Sequence, residues 1–191
     1  MISYLLSHLL SISLPNPFIP PSPTPVPQPP PPAATAELNF WECENCSFNE
    51  KYVLLKLQEK TNITDPYALA TIMGNIKQES KFLPNICEGG SRVSYFNCYR
   101  GGYGIIQWTS KNRYNGLGSF CRKYGCDPSS LEGQTSYMIN ENIFQRQLFH
   151  FEKNGKTISQ YMGPSYRWLG WGIKGKREIY SYDYLNKLKK A

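Results

Sequence analysis

No aspartate, glutamate, lysine or arginine occurs in this chain of 191 residues before Glu37. The whole formal net charge of +7 therefore belongs to residues 37–191, which read as an ordinary aromatic-rich domain. Histidine is scarce too: of 2, His8 lies in the uncharged stretch and His150 stands alone. That leaves no credible Ser-His-Asp or Cys-His arrangement for nucleophilic catalysis. No apolar run reaches the roughly 18–20 residues that a membrane-spanning helix needs. Gly-Gly-Tyr-Gly at 101–104 lacks the lysine pattern of a phosphate-binding loop. The length itself suits one globular domain with an appendage and excludes a large multidomain machine.

Proline, by contrast, is concentrated. Of 15 prolines, all but Pro66, Pro84, Pro128 and Pro164 lie between Pro15 and Pro32. Proline fixes φ and removes a backbone donor, so residues 15–36 read as an extended polyproline II linker with no core of its own. About 22 residues at roughly 3.1 Å each would span up to ~70 Å. Its PxxP patterns follow from proline density alone, so spacer is the stronger reading than a ligand for SH3-type domains. Before it, residues 1–14 place Leu5, Leu6, Leu9, Leu10 and Leu14 at helical spacing. This stretch lacks the basic start and cleavage site of a secretory signal, and is read as part of the mature protein. A helix so short needs a partner surface, which makes 1–14 a docking segment; a sticky, frayed terminus is the alternative.

The globular part, residues 37–191, reads as α+β, mainly α. A first helix is expected over about 49–58, with Tyr52, Val53, Leu55 and Leu57 as apolar surface. Asp65-Pro66 is a helix start, with Asp as cap and Pro at the first helical position. That helix should run to about Ser80, with Leu69, Ile72, Met73 and Ile76 as its stripe. Residues 81–103 lack periodicity and hold Gly89, Gly90, Gly101 and Gly102, which suggests a long functional loop or a small β-lobe. Further helices are expected at about 111–124, 129–152, 157–162 and 175–190.

Glu79 falls at the edge of the apolar stripe, at a helix end. A carboxyl on the margin of a buried face should have a raised pKa through desolvation, as a general acid near neutral pH requires. A glutamate ending its helix in solvent is the alternative from position alone.

The run ALATIMGNIKQESKFLPN, then GGYGIIQWTSKNRYNGL, then CDPSSLEGQTSYMINE resembles the phage tail lysozyme family. The likeness includes the spacing of Gln134 to Glu141 and a closing aromatic-led helix containing Arg177, and spans roughly 65–190. It implies a lysozyme-like domain that cleaves the β-1,4 bond between N-acetylmuramic acid and N-acetylglucosamine in bacterial peptidoglycan. Glu79 would be the catalytic acid. Tyr103, Gly104, Gln107 and Trp108 would line the substrate cleft, the glycine letting sugar approach the backbone; core packing is the other reading of Tyr103 and Trp108. A second carboxylate is normally needed for hydrolysis. Glu88 is the nearest candidate, and reads equally as an exposed loop residue. Without it the substrate's own 6-hydroxyl would attack, as in lytic transglycosylases.

Six cysteines between Cys43 and Cys126 fit a disulfide-bearing domain working outside a reducing cytosol. Of fifteen possible pairings, local spacing favours Cys87 with Cys98 and Cys121 with Cys126; Cys43 and Cys46 are left over and could pair with each other. A zinc site is the alternative, but a lone CxxC has no second pair to complete it. No metal and no cofactor is expected. The cations Lys174, Lys176, Arg177, Lys187, Lys189 and Lys190 read first as a solvated helix face that would also attract anionic cell wall. No nucleic-acid module is recognised.

Together these readings describe a virion protein acting at the host cell wall or periplasm. Residues 1–14 would dock on a tail hub or tip protein. The rivals are a non-catalytic tail protein that only binds peptidoglycan, and a free endolysin.

Overall fold

A computed structural model of the chain describes residues 40–191, all within one unit, Leu38–Ala191. The docking segment 1–14 and the linker 15–36 lie outside the described residues. The fold is α+β, mainly α. Among the described residues there are seven α-helices and one two-stranded sheet. In chain order these are β1 (Trp41–Cys43), α1 (Phe48–Lys60), α2 (Pro66–Ser80), α3 (Lys111–Tyr124), α4 (Leu131–Asn140), α5 (Asn142–Glu152), α6 (Ile158–Leu169), α7 (Arg177–Lys187) and β2 (Leu188–Lys190).

Helix α2 is the axis of the domain. It starts where the Asp65-Pro66 pair places it, with the Asp65 carboxylate accepting from Tyr67 N. Every residue from Ala68 to Ile76 is buried, polar Thr71 and Asn75 included. A helix hydrophobic on one stripe covers a core, whereas one buried all round lies inside it. Helices α1, α5, α6 and α7 pack against it. Asp65 also accepts from Gly155 N and from the Tyr161 hydroxyl at 3.0 Å, so the start of α2 is tied to the entry and body of α6.

Helix α1 is closed by a capping box between Ser47 and Glu50. It buries Val53, Leu54 and Leu57, while Leu55, expected in the apolar face, is exposed. The single helix expected over 129–152 is two helices, broken at Glu141, whose backbone is extended and whose side chain is buried. Helix α6 passes through Pro164 and continues to Leu169 instead of stopping at 162. The last helix ends at Lys187, and the chain finishes as β2, antiparallel to β1 with Cys43 opposite Leu188. This sheet joins the two ends of the described domain. The loop after α2, a candidate β-lobe, holds only isolated bridges (Ile86 with Arg92, Cys87 with Tyr103, Tyr103 with Trp108) and the short 3-10 turn Tyr95–Asn97.

Disulfides join Cys87 to Cys98 and Cys121 to Cys126, the pairs that local spacing favours, and the remaining Cys43 and Cys46 to each other. No described helix is long and apolar enough to cross a membrane.

Candidate active site

The C-terminal end of α2 is a sharp corner. Lys81 takes a left-handed conformation (φ 53°) and donates its N–H to Lys77 O, and Phe82 follows with φ 62°. Non-glycine residues adopt this region at a cost, so something must hold them there. The Phe82 ring is fully buried, edge-on to Tyr184, and its carbonyl accepts from Asn49. Ser80 Oγ donates to Ile105 O at 2.7 Å, which pins the helix end to the segment 103–108. Glu79 therefore sits at a rigid corner where helix, loop and turn meet.

Segment 103–108 is a tight turn. Tyr103 and Trp108 exchange backbone hydrogen bonds, and Gly104 (φ 76°) and Gln107 (φ 52°) supply the left-handed bends. Its anchor is Gln134 of α4, a fully buried carboxamide. Gln134 accepts from Ile105 N at 2.9 Å and donates to Pro84 O and Pro128 O at 2.6 and 2.8 Å. A Cβ on Gly104 would lie 2.7 Å from Gln134 Cδ. Glycine is required there to admit this carboxamide rather than a sugar.

The cleft beside this corner holds about 300 Å³ and is lined by Gln78, Glu79, Ser80, Lys81, Leu83, Ile86, Cys87, Glu88, Gly89, Gly90 and Gln107. The structure thus brings Glu79, Glu88 and Gln107 to one cavity. Gln107 Nε2 donates to Ile86 O and Gly104 O, so this amide also braces the walls. The Tyr103 and Trp108 rings do not take part. Both are 0% exposed and present no face to a sugar; packing is their role here, and Trp108 Nε1 donates to the buried Glu141 at 3.4 Å. A larger hollow, about 460 Å³, lies against β1 and α1 and contains neither Glu79 nor Glu88.

Glu88 is exposed, yet tied down. Its Oε2 accepts from Gly102 N at 2.9 Å, and its own N–H donates to Gly102 O at 2.8 Å. A Cβ on Gly101 (φ 71°) would lie 2.6 Å from Glu88 Cβ, so this glycine makes room for it. Among the described residues no group of three His, Cys, Asp or Glu side chains is placed to hold a metal ion.

Glu79 is mostly buried, with its side chain 15% exposed. Burial pushes its carboxyl above the usual range; the Arg177 guanidinium and, more distantly, Arg113 pull it down without overcoming burial. Arg177 Nη2 donates to Glu79 Oε1 at 2.8 Å. The composition placed Arg177 among the cations of a solvated face, but it is 4% exposed. Arg113 in turn forms a two-bond pair with Glu141, at 2.6 and 2.7 Å, and the same carboxylate meets Trp108 and Tyr137. Neither pairing was visible in the sequence. The nearest signal was Glu141 itself, which the sequence singled out only through its spacing from Gln134.

This site sits on the residues that carry a family likeness: the phage tail lysozyme profile matches residues 36–163. The chain belongs to the phage tail lysozyme family. The family region begins earlier than the motif likeness from about 65 and ends within α6, so it contains Glu79, Glu88 and segment 103–108 but not α7. No curated protein and no solved structure matches the chain. As a phage tail lysozyme it is a lysozyme-like glycosidase that acts on peptidoglycan.

Proposed function

We propose that the chain cleaves the β-1,4 bond between N-acetylmuramic acid and N-acetylglucosamine, with Glu79 as the general acid. The observation that carries this is a glutamate at a rigid helix end, mostly buried but lining a cleft, with its carboxyl held above the usual range. A carboxyl raised by burial keeps its proton to higher pH than a free glutamate, and can give it to the leaving glycosidic oxygen as the sugar develops oxocarbenium character. General acid catalysis of this kind contributes roughly 10²–10⁴-fold. Gln107 and the loop backbone around Gly89 supply polar contacts for the glycan.

Glu88 supports two outcomes. It lines the cleft, where it would position water for hydrolysis. Its bond to Gly102 N also engages the carboxylate, which favours attack by the substrate's own 6-hydroxyl and an anhydro-sugar product. Mass spectrometry of digested peptidoglycan decides between reducing-end and anhydro-muramic ends. Absence of both, with wall binding retained, would leave the non-catalytic reading.

In the same reading the enzyme is carried by the virion. Residues 1–14 dock on a tail hub or tip protein, and residues 15–36 give the catalytic domain reach to the wall. The uncharged, leucine-bearing start and the donor-poor linker support this. A chain starting at Glu37 should keep wall-degrading activity and fail to enter particles. Incorporation without residues 1–36, or absence of the intact chain from purified virions, would favour a free endolysin.

A further inference from the structure

Arg177 opens α7, at a place where a cation is out of keeping with its own helix. Positive charge at a helix N-terminus opposes the helix dipole, and the start of α7 has no side-chain cap. The residue is nonetheless buried. Its guanidinium stacks on the Trp171 ring, 4.5 Å from the ring centre. Nη1 donates to Asn75 O at 3.2 Å and Nη2 to Glu79 Oε1 at 2.8 Å. Nε is buried without a partner among the described residues, so these two bonds and the stack make up its whole hold. All three partners belong to α2 or to the turn leading into α7.

An arginine side chain donates hydrogen bonds and accepts none. Oε1 of Glu79, facing it, is always the accepting oxygen. The carbonyl oxygen of a carboxylic acid is a better acceptor for a charged donor than its hydroxyl oxygen, so in protonated Glu79 the bond from Arg177 to Oε1 favours the proton on Oε2. That oxygen makes no hydrogen bond among the described residues and belongs to a side chain lining the cleft. We propose that Arg177 is the positioning residue for the acid: it fixes the Glu79 carboxyl through Oε1 and so favours the transferable proton on Oε2, on the cleft side. Trp171 keeps the guanidinium in place. The inference rests on the reading of Glu79 as general acid, and it concerns a residue beyond the family region 36–163.

The charged groups facing Glu79 are Arg177 from α7 and Arg113 from α3, with Lys81 and Glu88 lining the same cleft. Of these only Arg177 bonds to its carboxyl. Removing the guanidinium removes both an orienting bond and a charge that lowers the Glu79 pKa. An unoriented acid should lose roughly 10–100-fold in kcat, in line with the cost of small misplacements at a reacting centre, with KM within about twofold. A general acid is active while protonated. With an opposite charge gone, the basic limb of the pH–rate profile should therefore move up by about one unit or more.

The test uses the full chain on purified peptidoglycan, with Arg177→Met and Arg177→Lys. The Met variant should show both the kcat loss and the shifted limb. The Lys variant keeps the charge but not the planar fork; it should bring the limb back to within a few tenths of a unit and recover only part of kcat. A purely structural arginine would lower the active fraction at every pH and leave the limb where it was, and that result overturns the proposal, as does full activity in the Met variant. Should the Met variant fail to fold, Arg177→Lys and Trp171→Leu carry the test, the latter with a smaller kcat loss in the same direction. Carboxyl-carbon NMR of Glu79, assigned through Glu79→Gln, reads its titration without turnover. An unchanged or lowered pKa in the Met variant, or in Trp171→Leu where Met does not fold, also overturns the proposal. If the wild-type chain cleaves no peptidoglycan, the catalytic reading fails by itself and the NMR titration still decides the role of Arg177.

Discussion

A Cβ added to Gly74 would lie 2.7 Å from Ser181 Cα. The backbones of α2 and α7 approach this closely only because one of them carries no side chain at the crossing. Gly74 precedes Glu79 on α2, and Ser181 follows Arg177 on α7, its hydroxyl donating back to Arg177 O at 2.7 Å. The crossing therefore sets how α7 delivers its arginine to Glu79.

Gly74→Ala should push the two helices apart. Overpacking of this kind costs about 1–3 kcal/mol, which for a domain of this size lowers Tm by roughly 2–4 °C per kcal/mol. Activity should fall more than the stability loss explains, because Glu79 loses its fixed partner. Calorimetry together with turnover at a temperature where the variant is fully folded checks this; unchanged Tm would mean the crossing relaxes freely.

Glu79→Gln should abolish cleavage while preserving wall binding. Its effect on stability follows from the sign of the pKa shift. A carboxyl raised above its unfolded value favours folding when protonated, and that contribution is lost as pH rises through the folded pKa. The neutral glutamine resembles the protonated form. At pH 7 the variant should thus melt at or slightly above the wild type, and the difference should vanish below the ordinary glutamate range. A Tm several degrees lower at pH 7 would show that the unpaired Arg177 charge outweighs the desolvation of Glu79.

Glu50 behaves in the opposite way. Burial would raise its carboxyl, but hydrogen bonds from Lys77, Tyr184 and Ser47 together win and hold it at about 2. A depressed carboxyl contributes stability above its unfolded pKa and loses it as pH falls through the folded one. Wild type should lose on the order of 2–3 kcal/mol from this group between pH 4.5 and 2. Thermal melts of Glu50→Gln should be lower at pH 7 and converge on the wild type near pH 2; parallel curves across that window would assign acid sensitivity elsewhere.

Replacing Cys87 and Cys98 by serine removes a bridge of sequence separation 11 on a residue lining the cleft. Loop-closure entropy puts the loss at ~2–3 kcal/mol. The cleft loop should loosen, raising KM more than it lowers kcat. Kinetics and melts of the double variant test this, and an unaltered KM would separate the bridge from the cleft.

Where a feature depends on near neighbours in the chain, the amino-acid order alone decides it. Asp65 and Pro66 start α2 because a cap needs only the next two or three N–H groups. Cys87 finds Cys98, and Cys121 finds Cys126, because short loops close easily. Glu79 at the end of an apolar helix was legible for the same reason, as was the family likeness of the segments around it. The tertiary structure decided what happens between residues far apart in the chain. The short strands Trp41–Cys43 and Leu188–Lys190 carry no periodicity to read and exist only because they meet. Trp108 could face sugar or core, and the fold buries it fully, with its indole N–H donating to the Glu141 that pairs with Arg113. By composition Arg177 looked like one more cation of a lysine-rich face, and the family likeness gave it only a place on the closing helix. It became the partner of Glu79, 98 positions away in sequence, because α7 folds onto the glycine of α2 and a buried carboxylate leaves an arginine few better places to be.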